Sequence, residues 1–119
     1  RQYEKGLALQ APVYGTEIAE RYEWLPEEFS CAVPRFLTEL CFSDFMTRRG
    51  QDEKTSELLT VVMLAAIGGA DLQVRSHVEG ALKVGCTKEE IVCALVCAMP
   101  YTGFPRLFNA LNCSKELLS

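Results

Sequence analysis

One segment of the sequence is apolar on almost every side of the helix it predicts, which limits how the chain can fold. Residues 58–67 read LLTVVMLAAI, with Thr60 as the one polar residue. A helix that is apolar all round must be buried on several sides. The segment is too short to cross a bilayer, which takes about 20 residues. A chain of 119 residues can hardly cover such a helix alone, so we expect a subunit interface to cover part of it.

The rest of the chain also predicts helices. No segment alternates between apolar and polar residues with a period of two, and no Asn-Gly or Asp-Gly pair marks a hairpin. The sequence therefore predicts an all-α fold of about six helices. We expect one domain, residues 1–119, with an N-terminal arm over residues 1–26 that holds a short helix, and a helical core over residues 27–119.

Capping signals bound the helices of the second half of the chain. Asp52 is a suitable N-cap, and Thr87 with Glu90 forms a capping box. Leu107, Phe108 and Leu111 form the apolar face of the last helix. The predicted helices run from Glu53 to Ile67, from Asp71 to Gly85, from Thr87 to near Pro100, and onward from Phe104-Pro105.

The signals in the first half of the chain are more mixed. Gly6 and Pro12 predict that the first residues form a poor helix. Thr16 is the expected cap of a short helix, Glu17–Trp24, and Pro26 opens the next one.

Pro34 is expected to break or restart the helix that begins after Pro26. The restarted helix should end at Arg48-Arg49-Gly50, since cations and a glycine suit a helix C-terminus. Its predicted apolar face consists of Phe36, Leu37, Leu40, Cys41 and Phe45.

The charge balance argues against a nucleic-acid partner. The formal net charge is -4 and the pI is about 5.0, whereas nucleic-acid-binding domains usually carry clustered Lys and Arg. Residues 1–10 lack a long apolar stretch with a cleavage site, so we expect no signal peptide there and no membrane partner.

The six cysteines, at positions 31, 41, 86, 93, 97 and 113, predict a reducing setting. A hydrophobic chain of this size can fold without disulfides. Several of these cysteines lie within apolar helical patterns, where a free cysteine packs as a small hydrophobic residue. We therefore expect a cytoplasmic protein with free thiols.

Cys93 and Cys97 are spaced i, i+4, which puts both thiols on one helix face. They could form a redox pair, ligate a metal together, or pack in the core. The spacing is poor for a relaxed disulfide, and zinc would need further ligands. The pattern favours packing, and we expect no metal site.

His77 is the only histidine and therefore the side chain that titrates nearest to neutral pH. Gly80 and Ala81 follow on the same helix face and leave space beside the ring for a substrate or a packed helix. The alternative is an ordinary surface or interior histidine.

Four other side chains are candidates for a site with His77. Glu57 lies at the polar start of the apolar helix, where a carboxylate suits general acid or base chemistry unless it simply faces solvent. Arg75 and Arg106 could hold a carboxylate bidentately, although surface solvation is common for single arginines. Tyr101, at a predicted helix break, could line a cleft or pack in the core.

Five short motifs follow one another between about Phe36 and Leu117. They are Glu57-Leu58-Leu59 with an Ala-rich stretch to Gly68-Gly69, Ser76-His77-Val78 with Ala81-Leu82 and Gly85, Thr87 to Ile91, Tyr101-x-Gly-x-Pro, and Asn109-Ala110-Leu111. In this order and spacing they resemble the carboxymuconolactone decarboxylase family, within the alkylhydroperoxidase D-like fold.

This resemblance implies a helical subunit that forms a trimer or hexamer and decarboxylates a small carboxylated lactone without metal or organic cofactor. It implies His77 as proton donor or oxyanion partner, Glu57 as the group that orients or charges it, and Tyr101 as a lining residue. An arginine, Arg75 or Arg106, would hold a substrate carboxylate. The chain departs from the family at Ser56, where arginine is frequent.

A second branch of the same superfamily uses a Cys-x-x-Cys pair as a thiol peroxidase. Counted back from His77, the two positions hold Ala70 and Gln73, so that mechanism is unsupported. Two alternatives stay open: a thiol-dependent oxidoreductase that uses Cys93 and Cys97, and a member that binds a small molecule without turnover. Loss of His77 should abolish a decarboxylase and spare its stability.

Overall fold

The computed structural model describes residues 1–46 and 50–119, and all regular structure in these residues is helical. This confirms the all-α prediction. The described residues form two compact units, Arg1–Gly50 and Gln51–Ser119. The expectation of a single domain with an arm and a core stays a prediction.

The α-helices are α1 Gln2–Tyr14, α2 Ile18–Arg21, α3 Glu27–Phe36, α4 Glu53–Ile67, α5 Asp71–Lys83, α6 Lys88–Thr102, α7 Phe104–Cys113 and α8 Lys115–Leu118, with a π-helix over Leu37–Phe45.

The first residues are helical, so the prediction of a poor helix there was wrong. Gly6 is buried in α1, and a Cβ built on it would meet the backbone carbonyl of Thr38 in the π-helix at 2.0 Å. The glycine therefore serves close packing between α1 and the π-helix. Beside it, Thr38 Oγ1 donates to Gln10 Oε1 at 2.6 Å, so both buried polar side chains are paired.

Gly6→Ala should destabilise the protein by about 1–3 kcal/mol because the added methyl group overpacks a backbone contact. Helix propensity alone predicts the opposite sign, since alanine is favoured over glycine in a helix by about 1 kcal/mol. Urea unfolding followed by circular dichroism measures the difference. A gain in stability would show that α1 and the π-helix are further apart than described.

The next predicted boundaries were partly wrong. Thr16 does not cap a helix to Trp24; α2 has Glu17 as its N-cap and spans four residues. Pro26 does open α3, as predicted, at the N-cap position. Pro34 lies inside α3 and is buried there, so the helix runs on past it. The predicted end at Arg48-Arg49-Gly50 falls largely on residues 47–49, which lie outside the described residues.

The predicted apolar face after Pro34 was also wrong. Phe36, Leu40 and Phe45 are half exposed or more, whereas Thr38, Phe42 and Ser43 are buried. The cause is the π-helix, in which an N–H bonds the carbonyl five residues back, as Met46 N–H does to Cys41 at 2.8 Å. A face assigned with the period of an α-helix does not stay on one side of a π-helix.

In the second unit, α4 to α7 enclose one core. Its buried members are Val61, Val74, Val78, Ala81, Cys86, Ile91, Leu95, Leu107 and Ala110. The start of α4 and the capping box of α6 are confirmed: Asp52 Oδ1 accepts from Thr55 N–H at 2.8 Å, and Thr87 and Glu90 bond reciprocally. Pro100 does not break α6, which continues to Thr102 and ends at Gly103.

One side of α4 is open. Leu59, Met63 and Ile67 are 45%, 57% and 67% exposed, and their spacing of four residues aligns them along the helix. Val61 on the opposite side is fully buried. This open apolar side agrees with the expected subunit interface, and the oligomer stays a prediction. In the described residues no helix is long and apolar enough to cross a membrane.

The Asp52 cap should make stability depend on pH in the acid range. Hydrogen bonds from Thr55 lower the pKa of the Asp52 carboxyl below its usual range. A carboxyl whose pKa is lowered by folding stabilises the protein above its unfolded pKa and loses this contribution as pH falls through the folded pKa. Below about pH 4, the wild type should therefore lose more stability than Asp52→Asn, whose amide caps without titrating. Melting curves between pH 2 and 7 test this; parallel curves contradict it.

Candidate active site

Glu57 and His77 meet between α4 and α5. His77 Nδ1 lies 3.0 Å from Glu57 Oε1. The Glu57 side chain is 3% exposed and the His77 side chain 27% exposed. Glu57 shares the inward face of α4 with Val61, one turn later, while His77 lies next to Val78 at the edge of the inward face of α5. Two residues that are 20 positions apart in the sequence thus form a pair at the edge of the core.

The geometry assigns the two ring nitrogens different tasks. An ionised carboxylate only accepts hydrogen bonds, so when Glu57 is ionised the N–H at Nδ1 of His77 donates a hydrogen bond to Oε1. The opposite ring nitrogen, Nε2, is then the atom through which the ring exchanges a proton. The pair can therefore hold and deliver one proton.

Gly80 and Ala81, which were predicted to leave space beside His77, are both buried in α5, and Ala81 belongs to the core. Which of the two expected uses this space has stays a prediction. A substrate would have to reach His77 from its exposed side.

Arg75 points to the C-terminal helices. Its Nη1 donates to the carbonyl of Cys113 at 3.3 Å, and its Nη2 lies 3.4 Å from Glu116 Oε2. Arg75 and His77 are two positions apart on α5, so their side chains leave the helix in different directions. The structure thus gives Arg75 a tethering contact to α7 and α8, and its role in substrate binding stays a prediction.

Arg106 and Tyr101 are also apart from the pair in the described chain. The Arg106 guanidinium lies against Gly68, where any side chain would overlap it. Glu57 and Gly68 are separated by most of the length of α4. At a rise of about 1.5 Å per residue, this is about 16 Å along the helix axis. Tyr101 lies in the last turn of α6, two residues before the break at Gly103, and is 93% exposed. Their roles in binding stay predictions.

All six cysteines are free thiols, and only Cys93 and Cys97 lie beside each other among the described residues. Cys86 belongs to the core, as expected for packing, but Cys93 and Cys97 are exposed, so packing was the wrong reading for them. Ile91 and Leu95 take the buried face of α6, and residues two positions further on lie across the helix from that face. In the described residues no group of three or more His, Cys, Asp or Glu side chains could hold a metal ion.

None of the resolved shifts favours a reactive thiolate. Burial raises the pKa of Cys41 and of Cys86. A hydrogen bond with Cys93, and then the repulsion of charge on that sulfur, raises the pKa of Cys97. The thiolate is the nucleophile in thiol chemistry, and reactive cysteines have lowered pKa values.

The protein is all-α and has a carboxylate–histidine pair between two of its helices. The model of the carboxymuconolactone decarboxylase family matches residues 32–116, so the chain belongs to this family. The resemblance inferred from the sequence is thereby confirmed.

Three relatives show how far the similarity reaches. The chain is 24% identical over 117 residues to a 4-carboxymuconolactone decarboxylase from Acinetobacter baylyi, covering 98% of this chain and 87% of the relative. It is 28% identical over 120 residues to a nitrosuccinic acid decarboxylase from Metarhizium robertsii, covering 100% and 82%. An uncharacterised 15.0 kDa protein from Paracoccus denitrificans is 30% identical over 92 residues, covering 76% and 69%.

Proposed function

We propose that the protein is a cofactor-free, decarboxylase-like lyase that acts on a small carboxylated lactone or a related carboxylate anion. The observation that carries the proposal is the contact between His77 Nδ1 and the buried Glu57 carboxylate at 3.0 Å. The family and two relatives with decarboxylase names support it. Each of those two names refers to a small carboxylated substrate.

The group that this reaction requires from the site is a proton donor rather than a nucleophile. When the carbon–carbon bond to the carboxylate breaks, carbon dioxide leaves and the bonding electron pair stays on the substrate as an enolate-like anion. His77 in its imidazolium form gives the Nε2 proton to that carbon, or stabilises the developing negative charge. Solvent then returns the proton to His77, so the net change consumes one proton and releases carbon dioxide.

Glu57 has a supporting task in this scheme. Its carboxylate lies 3.0 Å from Nδ1 and fixes the orientation of the ring, so that Nε2 lies on the opposite edge. Tyr101, Arg75 and Arg106 are the candidates for substrate contacts, with one arginine on the carboxylate. Since Tyr101 and Arg106 are exposed, both are open to a substrate bound at a subunit interface.

The alternatives predict other behaviour. A thiol-dependent oxidoreductase would use Cys93 and Cys97, whose sulfurs are 4.0 Å apart, but the raised pKa of Cys97 opposes the thiolate that such an enzyme needs. A non-catalytic member would be stabilised by its ligand and would not turn it over.

Progress curves test the proposal. The purified protein is incubated with 4-carboxymuconolactone, and in parallel with nitrosuccinate, in the presence of a metal chelator, while carbon dioxide release is followed. The proposal expects turnover of a carboxylated substrate that Cys93→Ser with Cys97→Ser leaves intact. Peroxide reduction that depends on those cysteines, without carbon dioxide release, would overturn it. So would ligand-induced stabilisation with no turnover on either substrate.

A further inference from the structure

Cys93 and Cys97 form an exposed dithiol that the decarboxylase scheme does not use. Both belong to α6, and their sulfurs lie 4.0 Å apart. They lie across α6 from the buried residues Ile91 and Leu95, so core packing does not explain them. The pair is on a different helix from Glu57 and His77.

The separation of the two sulfurs suits a cation bound between them. Metal–thiolate bonds are about 2.3 Å long, as for zinc, so a sulfur–metal–sulfur bridge spans at most about 4.6 Å. Two sulfurs at 4.0 Å need only small side-chain rotations to reach this range. Because both side chains are on one helix at this distance before any cation binds, the loss of conformational entropy on binding is small.

The number of ligands selects the kind of cation. Zinc in a structural site takes four protein ligands, and in the described residues no group of three or more His, Cys, Asp or Glu side chains converges. Soft thiolate ligands favour Cu(I), zinc and iron–sulfur clusters, and the last two take about four protein ligands. Two thiolates are sufficient for a singly charged soft cation, because a low coordination number is common for such ions.

The surroundings of Cys93 add a negative charge and a shallow groove. Cys93 lines a groove together with the apolar side chains of Val92, Val96 and Leu118. Glu89, one turn before Cys93, lies on the same groove and contributes a negative charge. The cation of Lys88, also on the groove, is bonded to the carbonyl of Ser119 at 2.6 Å.

We propose that Cys93 and Cys97 form a two-thiolate binding site for a soft monovalent cation of the Cu(I) class. Two thiols and one Cu(I) give one bis-thiolate complex of charge −1 and release two protons; no electron is transferred. Because two protons leave, the apparent affinity rises with pH by up to about 100-fold per pH unit while both thiols are protonated.

The test is a competition for Cu(I) on the full chain, kept reduced and free of oxygen. Cu(I) is supplied as a coloured complex with bicinchoninate, and loss of colour reports its transfer to the protein. We expect one Cu(I) per chain, with two sulfur neighbours in the X-ray absorption spectrum. Cys93→Ser or Cys97→Ser should weaken binding by about 10²–10⁴-fold, since the second thiolate binds intramolecularly.

The matched control is Cys31→Ser with Cys41→Ser, which removes two other exposed thiols and should keep wild-type affinity. A parallel titration with Zn(II) should show much weaker binding, because two ligands leave its tetrahedral shell incomplete. The proposal is overturned if Cys93→Ser with Cys97→Ser binds Cu(I) as the wild type does. It is also overturned if the copper is held by thiols of two chains, which native mass spectrometry would show as a metal-dependent dimer.

Discussion

His77→Ala should lower kcat for decarboxylation by about 10²–10⁴-fold, the range that one general acid contributes. The reason is that the variant has no group to give a proton to the substrate carbon, while the remaining fold still binds substrate. His77→Gln should lose as much, although its amide N–H can still reach Glu57. Initial rates of carbon dioxide release, measured at saturating substrate, check both variants.

Glu79→Gln is the matched control for the His77 variants. Glu79 lies two positions later on α5 and is exposed, so this change removes a carboxylate of the same helix without touching the pair. It should keep wild-type kcat. If His77→Gln kept more than a tenth of the wild-type kcat, His77 would not be the proton donor, and the proposed scheme would be wrong.

His77→Ala should lower the free energy of unfolding, because Glu57 is buried next to His77. The Glu57 residue is 2% exposed, and His77→Ala removes its charge-assisted hydrogen-bond partner. Leaving a buried polar group without its partner costs about 1–3 kcal/mol. The sequence had predicted that His77→Ala would spare stability; the burial of Glu57 changes that expectation. Urea unfolding of the wild type and the variant measures the loss.

The double variant Glu57→Leu with His77→Ala distinguishes this cause from simple loss of packing. Replacing both partners of a buried pair by apolar residues can be nearly neutral, so the double variant should be more stable than His77→Ala alone. Additive losses from the two changes would mean that Glu57 and His77 are energetically independent. His77→Gln, which retains a donor, should fall between the wild type and His77→Ala.

Most helices of the second unit could be predicted from the sequence. Asp52, Thr87 and Glu90 act on backbone groups within three residues of themselves, so their effect is visible in a short stretch of sequence. The first unit was harder to predict. Gly6 was read as a residue that weakens a helix, because its contact with Thr38 joins positions that are 32 apart and leaves no local signal.

The candidate site was predictable only as a set of residue types. The motifs singled out Glu57 and His77, and the tertiary structure brought them to 3.0 Å. Arg106 was a candidate because an arginine can hold a carboxylate, and the structure places it against Gly68. A motif reports which side chains a family uses, whereas the direction in which each one points depends on how the helices pack.

The sequence alone determined that the chain is helical and where α4 and α6 begin, because capping and helical periodicity are interactions between residues at most four positions apart. It also determined the family, because the motifs are read directly from the order and spacing of residues. Only the tertiary structure decided that Glu57 is buried against His77 and that Cys93 and Cys97 face outward. These outcomes depend on the rotation of each helix about its axis. Packing of the whole core sets that rotation, through contacts between residues far apart in the chain.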